Sequence, residues 1–136
     1  MSELVEFKFH RKKIKVLFTH RDNNYPTVVF FHGFPDNMYV WNDFVSESSN
    51  ENVKNYNILL INLEDYDFEN LEGFKFQLIK TFKSLLIDLD KGIYFVGHDI
   101  GGALLSIIAT TFRSSLRGVI FLNSMDIALY QKNFLN

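Results

Sequence analysis

The stretch of sequence best suited to chemistry is Gly97-His98-Asp99-Ile100-Gly101-Gly102, where one acidic residue lies among glycines. It follows an apolar run and precedes a helical pattern. A sharp turn from a strand into a helix forces backbone close to backbone, so it needs very small residues two positions before and two after its tip. Gly97 and Gly101 meet that requirement, and Gly102 lets the following helix press onto the sheet. An aspartate before a helix is commonly just an N-cap, but this pattern predicts a sharp strand-to-helix turn, or elbow, with Asp99 at its tip.

A second short motif, His32-Gly33-Phe34-Pro35, follows another apolar run in the same way. Taken alone it is an ordinary tight turn, because Gly and Pro end strands in many proteins. Two such turns, each directly after a predicted buried strand, are better explained by one site that uses both loops.

The strands that must position these loops are recognisable as continuous apolar runs, which are typical of strands buried on both faces of a parallel sheet. Four such runs occur: Thr27–Phe31, Asn57–Ile61, Ile93–Val96 and Val119–Leu122. Two earlier segments, Leu4–His10 and Lys13–Phe18, alternate with a period near two and predict a half-exposed antiparallel hairpin. Helical patterns separate the buried runs. We therefore predict a parallel sheet with right-handed crossovers, in which Thr27–Phe31 lies between the second and third of these runs.

The helices are predicted from apolar stripes with helical spacing. One stripe steps by three and four residues along a long helix, through Leu71, Phe74, Leu78, Phe82, Leu85 and Leu89. A short helix capped by Asp36 or Asn37 is predicted to bury Trp41, Phe44 and Val45.

A third helix is predicted to run from about Gly101 to Arg113. The whole pattern is that of one α/β domain, residues 1–136, with a mostly parallel sheet and an N-terminal antiparallel hairpin, truncated after the sixth strand.

Composition excludes several classes of function. The net charge of −2 provides no basic field for nucleic acid and no polybasic patch for a membrane surface. The absence of cysteine excludes a disulfide framework and thiolate metal sites. Charges interrupt the first residues, and no apolar run is long enough for a membrane span. We expect a cytoplasmic protein without a metal, a cofactor or a nucleic-acid partner.

The order and spacing of the two motifs resemble the α/β-hydrolase fold, and within it the soluble epoxide hydrolases and their haloalkane and fluoroacetate dehalogenase relatives. The stretch His32-Gly33-Phe34-Pro35-Asp36, followed by Tyr39 and Trp41, is similar to the epoxide-hydrolase loop. The resemblance covers Val5 to Ser124, which corresponds only to the N-terminal half of the family's domain.

This resemblance implies a role for each matching residue. Asp99 would be the nucleophile, whose carboxylate attacks an electrophilic carbon and forms an alkyl-enzyme ester. The backbone N–H groups of Phe34 and Ile100 would form the oxyanion hole. Trp41 would contact the substrate. The remaining motif residues would be structural: His32, Gly33, Pro35, Gly97, His98, Gly101 and Gly102.

The same resemblance bears on the leaving group. Dehalogenases with dedicated halide sites often carry side-chain N–H donors at the positions of Phe34 and Ile100, and neither residue here can donate from its side chain. This favours an epoxide hydrolase over a dehalogenase relative.

The sequence also departs from the family pattern. No histidine follows His98, so the family's catalytic histidine and acid have no counterpart, and Asp126 is expected to be a surface residue. The glycine-rich turn after the fourth strand is replaced by residues 62–67, with Asp65 and Asp67 where glycines are expected; aspartate tolerates left-handed conformations better than most residues. Three hypotheses follow: a fragment of a full hydrolase that is not expected to turn over alone, a half-length non-catalytic subunit with an interaction or structural role, or a dehalogenase relative.

The last predicted strand raises a question of partners. A sheet that stops at Val119–Leu122 exposes a long apolar edge with unpaired N–H and C=O groups. We therefore expect a complementary chain or a homodimer at this edge, in addition to a small electrophilic substrate if the chain is active.

Overall fold

The computed structural model describes residues 2–46, 53–67 and 70–123. Its centre is one six-stranded sheet in the order β1-β2-β4-β3-β5-β6. The strands are β1 (Ser2–Phe9), β2 (Lys12–Thr19), β3 (Thr27–Phe31), β4 (Asn57–Ile61), β5 (Ile93–His98) and β6 (Leu116–Leu122). β1, β2 and β4 pair antiparallel, whereas β4, β3, β5 and β6 are parallel. This confirms the predicted fold class, including the N-terminal hairpin.

The predicted position of β3 between β4 and β5 is also confirmed. In register, Phe31 lies opposite Ile61 of β4 and opposite Gly97 of β5. These three parallel strands therefore end at the same edge of the sheet, and the loops that follow them meet there.

The larger core lies on the face of the sheet covered by α2 (Leu71–Ser84) and α3 (Ile100–Ile108). Aromatic rings fill it: Phe31 packs edge-on against Phe95 at 5.4 Å between centroids, and Phe95 against Phe112 at 5.5 Å. The apolar stripe predicted for α2 supplies Phe74, Leu78 and Phe82, which are all buried. This packing holds the elbow helix α3 against the ends of β3 and β5.

The predicted extent of α2 is wrong at its C-terminal end, because the helix ends at Ser84 and not near Leu89. Leu86 adopts a left-handed φ of 57°, and the amides of Leu86 and Ile87 donate to the carbonyls of Lys83 and Phe82. This is the Schellman arrangement that usually has glycine at its left-handed position. A leucine at this position does not indicate a helix end in the sequence, so the apolar stripe predicted a helix that extends beyond Ser84.

The short helix after β3 is present in two parts, a 3-10 turn (Met38–Trp41) and α1 (Asn42–Ser46). Asn37 is the cap, since its side chain accepts from the Tyr39 amide at 2.9 Å. Val45 is buried as predicted, but Phe44 is 52% exposed, so its predicted burial is wrong. The physical reason is that α1 is only five residues long and little covers its outer side. The third predicted helix is α3, followed by a 3-10 turn (Ala109–Phe112).

The two edge strands of the sheet differ in character. β1 presents charged residues along its length, whereas β6 presents Ile120, Phe121 and Leu122 partly exposed, with Ile120 at 56%. The sequence pattern typical of full burial is therefore wrong for β6, because no strand or helix in the described residues covers its outer side. Among the described helices, none combines the length and apolar character needed to cross a bilayer.

Candidate active site at the carboxyl edge of the sheet

The elbow is a single residue in an unusual backbone conformation. Asp99 joins β5 to α3 with φ 55° and ψ −119°. Residues other than glycine rarely adopt a positive φ, because this backbone conformation is strained. The strain persists where the surrounding structure enforces it. Here the Asp99 amide donates to the Leu122 carbonyl at 3.3 Å, and its carbonyl accepts from the Ala103 amide at 3.1 Å. The aspartate side chain is consequently exposed at the carboxyl edge of the sheet.

Close approach of backbone segments explains the glycines around Asp99. A β-carbon on Gly97 would lie 2.6 Å from the Cα of Gly102, across the strand-to-helix turn. A β-carbon on Gly101 would lie 2.5 Å from the carbonyl oxygen of His32. These glycines therefore let α3 pack directly against β5 and against the loop that follows β3.

That loop brings a hydrogen-bond donor to the carboxylate. The Phe34 amide donates to Oδ2 of Asp99 at 3.2 Å. Gly33 makes the approach possible, because a β-carbon there would lie 2.7 Å from the Cβ of Asp99. The loop closes through a hydrogen bond from the Asp36 amide to the Gly33 carbonyl and contains a cis Phe34–Pro35 peptide bond.

His32 fixes this loop through hydrogen bonds to backbone groups. It is buried, its Nε2 accepts from the Leu63 amide at 2.9 Å, and its Nδ1 lies 2.9 Å from the Gly33 carbonyl. Accepting at Nε2 places the proton on Nδ1, which then donates to that carbonyl. Both ring nitrogens are therefore committed to backbone groups, as expected of a structural residue.

The electrostatics of the site keep Asp99 ionised. The pKa of its carboxyl group is held below the usual value by hydrogen bonds from the backbone N–H groups of Phe34 and then Ile100. Desolvation opposes this shift, and the nearby His98 adds a smaller lowering effect. The two amides that the resemblance implies as an oxyanion hole thus bind the carboxylate of Asp99 itself.

A cavity of about 210 Å³ opens beside the elbow. It is lined by His32, Gly33, Phe34, Pro35, Asp36, Leu63, Glu64 and Ile100. Leu63 and Glu64 were not identified from the sequence, although the turn after β4 ends at the same sheet edge. Trp41 does not line this cavity: it packs on Phe30, 5.0 Å between ring centroids, on the face of the sheet opposite α2 and α3.

The turn after β4 is built without left-handed residues. Residues Leu63–Asp65 form a 3-10 turn, and the buried side chain of Asn62 donates to Glu64 and Asp65 at 3.2 Å each. Asn62 also accepts from the Met38 amide at 3.4 Å. The missing glycines are therefore replaced by a different turn, and not by aspartates in left-handed conformations.

The other histidines lie in distinct places. His98 is half-buried at the end of β5, beside Gly33. His20 follows Thr19, which pairs with Ile58 near the start of β4, so it lies toward the opposite edge of the sheet from Asp99. Within residues 2–46, 53–67 and 70–123, no group of three metal-ligating side chains could hold an ion. Asp126 lies outside these ranges.

Comparison with known proteins identifies the fold. No family model and no curated protein sequence matches the chain. Solved structures do match. One comes from novel epoxide hydrolases of the α/β-hydrolase superfamily in metagenomes from hot environments, with 20% identity over 97% of this chain and 45% of that chain, and a TM-score of 0.71.

Two further solved structures that match are a dehalogenase and a thioesterase domain. A haloalkane dehalogenase from Agrobacterium tumefaciens C58 has 18% identity over 90% of this chain and 41% of that chain, with a TM-score of 0.68. The thioesterase domain from the curacin biosynthetic pathway has 16% identity over 98% of this chain and 52% of that domain, with a TM-score of 0.68. At these identities the likeness shows the fold alone, which is that of the α/β hydrolases. The chain spans about half or less of the length of these structures.

Proposed function

We propose that this α/β-hydrolase fold carries the nucleophilic half of an epoxide-hydrolase-like site, which acts through an alkyl-enzyme ester on Asp99. One observation supports this most strongly. At the tip of a strained elbow, Asp99 presents a carboxylate whose Oδ2 accepts from the Phe34 amide at 3.2 Å. A serine hydrolase would have a hydroxyl at this position and a histidine to activate it.

The first chemical step needs only the ionised carboxylate in line with a carbon. A lone pair on Oδ1 of Asp99 would form a C–O bond to a ring carbon of the epoxide. The C–O bond of the ring breaks, its electron pair passes to the ring oxygen, and this alkoxide takes a proton from water. The lowered pKa of Asp99 keeps the attacking group charged at neutral pH. Oδ2, which accepts from the Phe34 amide, becomes the carbonyl oxygen of the ester.

The second step explains why those amides are placed where they are. When water attacks the carbonyl carbon of the ester, negative charge develops on Oδ2, which the Phe34 N–H group already contacts, and the Ile100 N–H group is a second donor at the same carboxyl group. The step also needs a base to take the proton of that water. His32 cannot serve, because both of its ring nitrogens bind backbone groups. We therefore expect this 136-residue chain alone to form the ester without repeated turnover.

The side chains near the carboxylate favour ring opening over halide release. A haloalkane would expel a halide ion, which is stabilised by N–H donors. The side chains of Phe34 and Ile100 border the cavity and offer none, and Phe34 is 80% exposed. In an epoxide the leaving oxygen stays attached to the product and is neutralised by protonation.

A second candidate function is a non-catalytic subunit that binds another polypeptide. The observation that favours it is the apolar outer edge of β6, where Ile120, Phe121 and Leu122 are exposed. Edges of this kind pair readily with other strands. Both functions can belong to one chain if the partner completes the site.

The proposal is tested by intact-mass spectrometry after incubation with styrene oxide, an epoxide with an activated benzylic carbon. We expect at most one adduct per chain, absent in Asp99→Asn. The matched control is Asp36→Asn, which removes an exposed carboxylate from the neighbouring loop and should be labelled like the unchanged chain. Equal labelling of Asp99→Asn would refute the assignment of Asp99 as the nucleophile. Steady multiple turnover would refute the expectation that the chain alone does not hydrolyse the ester.

A further inference from the structure

An apolar groove of about 620 Å³ lies on the face of the sheet opposite α2 and α3. None of the residues that line it lines the cavity formed by the loop of residues 32–36. Apolar side chains from four strands and the α1 region form most of its surface: Val28, Phe30, Trp41, Phe44, Val96, Ile120 and Leu122 among them. Single exposed apolar residues are ordinary, but a continuous apolar groove indicates a binding surface.

Two stretches outside the described residues are close in sequence to residues that line this groove, and their compositions differ sharply. Residues 47–52 lead from α1 to Val53 and consist only of Ser, Asn and Glu. Residues 124–136 follow β6, and seven of the thirteen are apolar: Met125, Ile127, Ala128, Leu129, Tyr130, Phe134 and Leu135. Only the second stretch could bury apolar surface in the groove.

The point at which the chain leaves β6 favours the same segment. Ile120 and Leu122 are themselves part of the groove, so the described chain ends beside it, one residue after Leu122. Asn123 has a left-handed φ of 45°, which turns the chain away from the strand direction. The groove extends from Leu122 at the carboxyl edge to Val53 and Tyr56 just before β4. That is about the length of a seven-residue strand, roughly 23 Å.

The segment is long enough to cover this distance. Thirteen residues span roughly 20 Å as a helix and up to roughly 45 Å when extended. Its two charged residues, Asp126 and Lys132, have opposite sign and leave it neutral. The groove is mostly apolar, with Asp43 as the charged residue in its lining. We propose that residues 124–136 of the same chain dock in this groove through their apolar side chains. The inference is independent of the chemistry at Asp99.

The absence of cysteine allows a direct test by thiol labelling of the full chain. Ile120→Cys places a thiol in the groove, and Leu4→Cys places one on β1, away from it. The two side chains are almost equally exposed in the described structure, at 56% and 54%. If residues 124–136 cover the groove, iodoacetamide should label Ile120→Cys at least about tenfold more slowly than Leu4→Cys.

Substitutions within residues 124–136 test whether this segment protects Ile120→Cys from labelling. Adding Ile127→Gln and Phe134→Gln should restore fast labelling of Ile120→Cys. The matched control, Asp126→Asn with Lys132→Gln, changes two residues of the same segment, preserves its net charge and should leave the protection intact. Trp41, the single tryptophan of the chain, lies in the groove and gives a second readout without a cysteine. Its quenching by acrylamide should increase only in the Ile127→Gln, Phe134→Gln variant.

Three outcomes would overturn the proposal. Equal labelling of the two thiols, with Trp41 quenching that no segment variant changes, would mean that nothing covers the groove. If protection persists in the Ile127→Gln, Phe134→Gln variant, something other than residues 124–136 covers the groove. Protection lost on dilution would assign it to a second copy of the chain.

Discussion

Replacing Gly101 by alanine would place a methyl group against the end of β3. Its carbon would lie 2.5 Å from the carbonyl oxygen of His32 and closer still to that of Phe31. These are backbone atoms that cannot rotate away, so α3 has to withdraw by about 1 Å to restore ordinary van der Waals separation. Overpacking of this kind costs about 1–3 kcal/mol of unfolding free energy, or roughly 3–12 °C in Tm for a chain of this size.

The same shift should impair the site, because it moves Asp99 relative to the Phe34 amide. We therefore expect Gly101→Ala to lose both stability and adduct formation. Gly73→Ala is the matched control: in α2, a β-carbon at that position meets nothing nearer than the Asn70 side chain at 3.4 Å. It should raise stability by about 0.5–1 kcal/mol, because glycine is costly inside a helix.

Urea unfolding followed by far-UV circular dichroism measures both variants. The reasoning predicts changes of opposite sign for the two Gly→Ala substitutions. If Gly101→Ala were as stable as the unchanged chain while Gly73→Ala behaved as expected, the close packing of α3 on the ends of β3 and β5 would be refuted.

Three further predictions concern other parts of the molecule. His32→Leu leaves the buried Leu63 amide without its partner, whereas the Gly33 carbonyl still accepts from the Asp36 amide, so urea unfolding should show a loss of about 1–3 kcal/mol. His20→Leu at an exposed site should change little. A hydrogen bond from Lys12, at 2.8 Å, is the main cause that holds the pKa of Asp67 below its usual value. Its stabilisation should be complete above the unfolded carboxyl pKa of about 4 and lost as pH falls through the lowered folded value. The difference in Tm between the unchanged chain and Asp67→Asn should thus be present at neutral pH and vanish in strong acid; a difference that does not depend on pH would contradict this. At the β6 edge we expect concentration-dependent association in sedimentation equilibrium, weakened by Phe121→Lys, and a stable monomer at all concentrations would contradict it.

Much of the fold could be predicted because the hydrophobic patterns and the topology agree. Continuous apolar runs such as Thr27–Phe31 mark buried parallel strands, and alternation over the first residues marks the hairpin. The patterns failed where burial depends on neighbours that the sequence does not specify. The run Val119–Leu122 has the composition of a central strand but lies at the edge, and Phe44 has no covering element among the described residues. Leu86 shows a different limit, since a left-handed leucine ends α2 without a glycine.

The parts of the site that could be predicted are those where a close backbone approach requires glycine. Gly97 and Gly101 imply close backbone approaches, and the structure contains both, whereas the close approach of Gly33 to Asp99 was not predicted. The fixing of His32 by the Leu63 amide could not be inferred, because it depends on how two loops pack across the sheet edge. The resemblance implied that Trp41 contacts the substrate, but Trp41 lies in a 3-10 turn and lines the groove on the other face of the sheet.

The most direct test of the central claim is the location of the covalent bond. After reaction with styrene oxide, tandem mass spectrometry of the proteolytic peptides should place the adduct on Asp99, with the exposed carboxylates Asp36 and Glu64 unmodified. The labelling rate should stay constant from neutral pH down to about pH 4 and fall only in stronger acid, because the pKa of Asp99 is lowered by the Phe34 and Ile100 amides. An adduct spread over several carboxylates, or one found elsewhere with Asp99 unmodified, would contradict the assignment of Asp99 as the nucleophile.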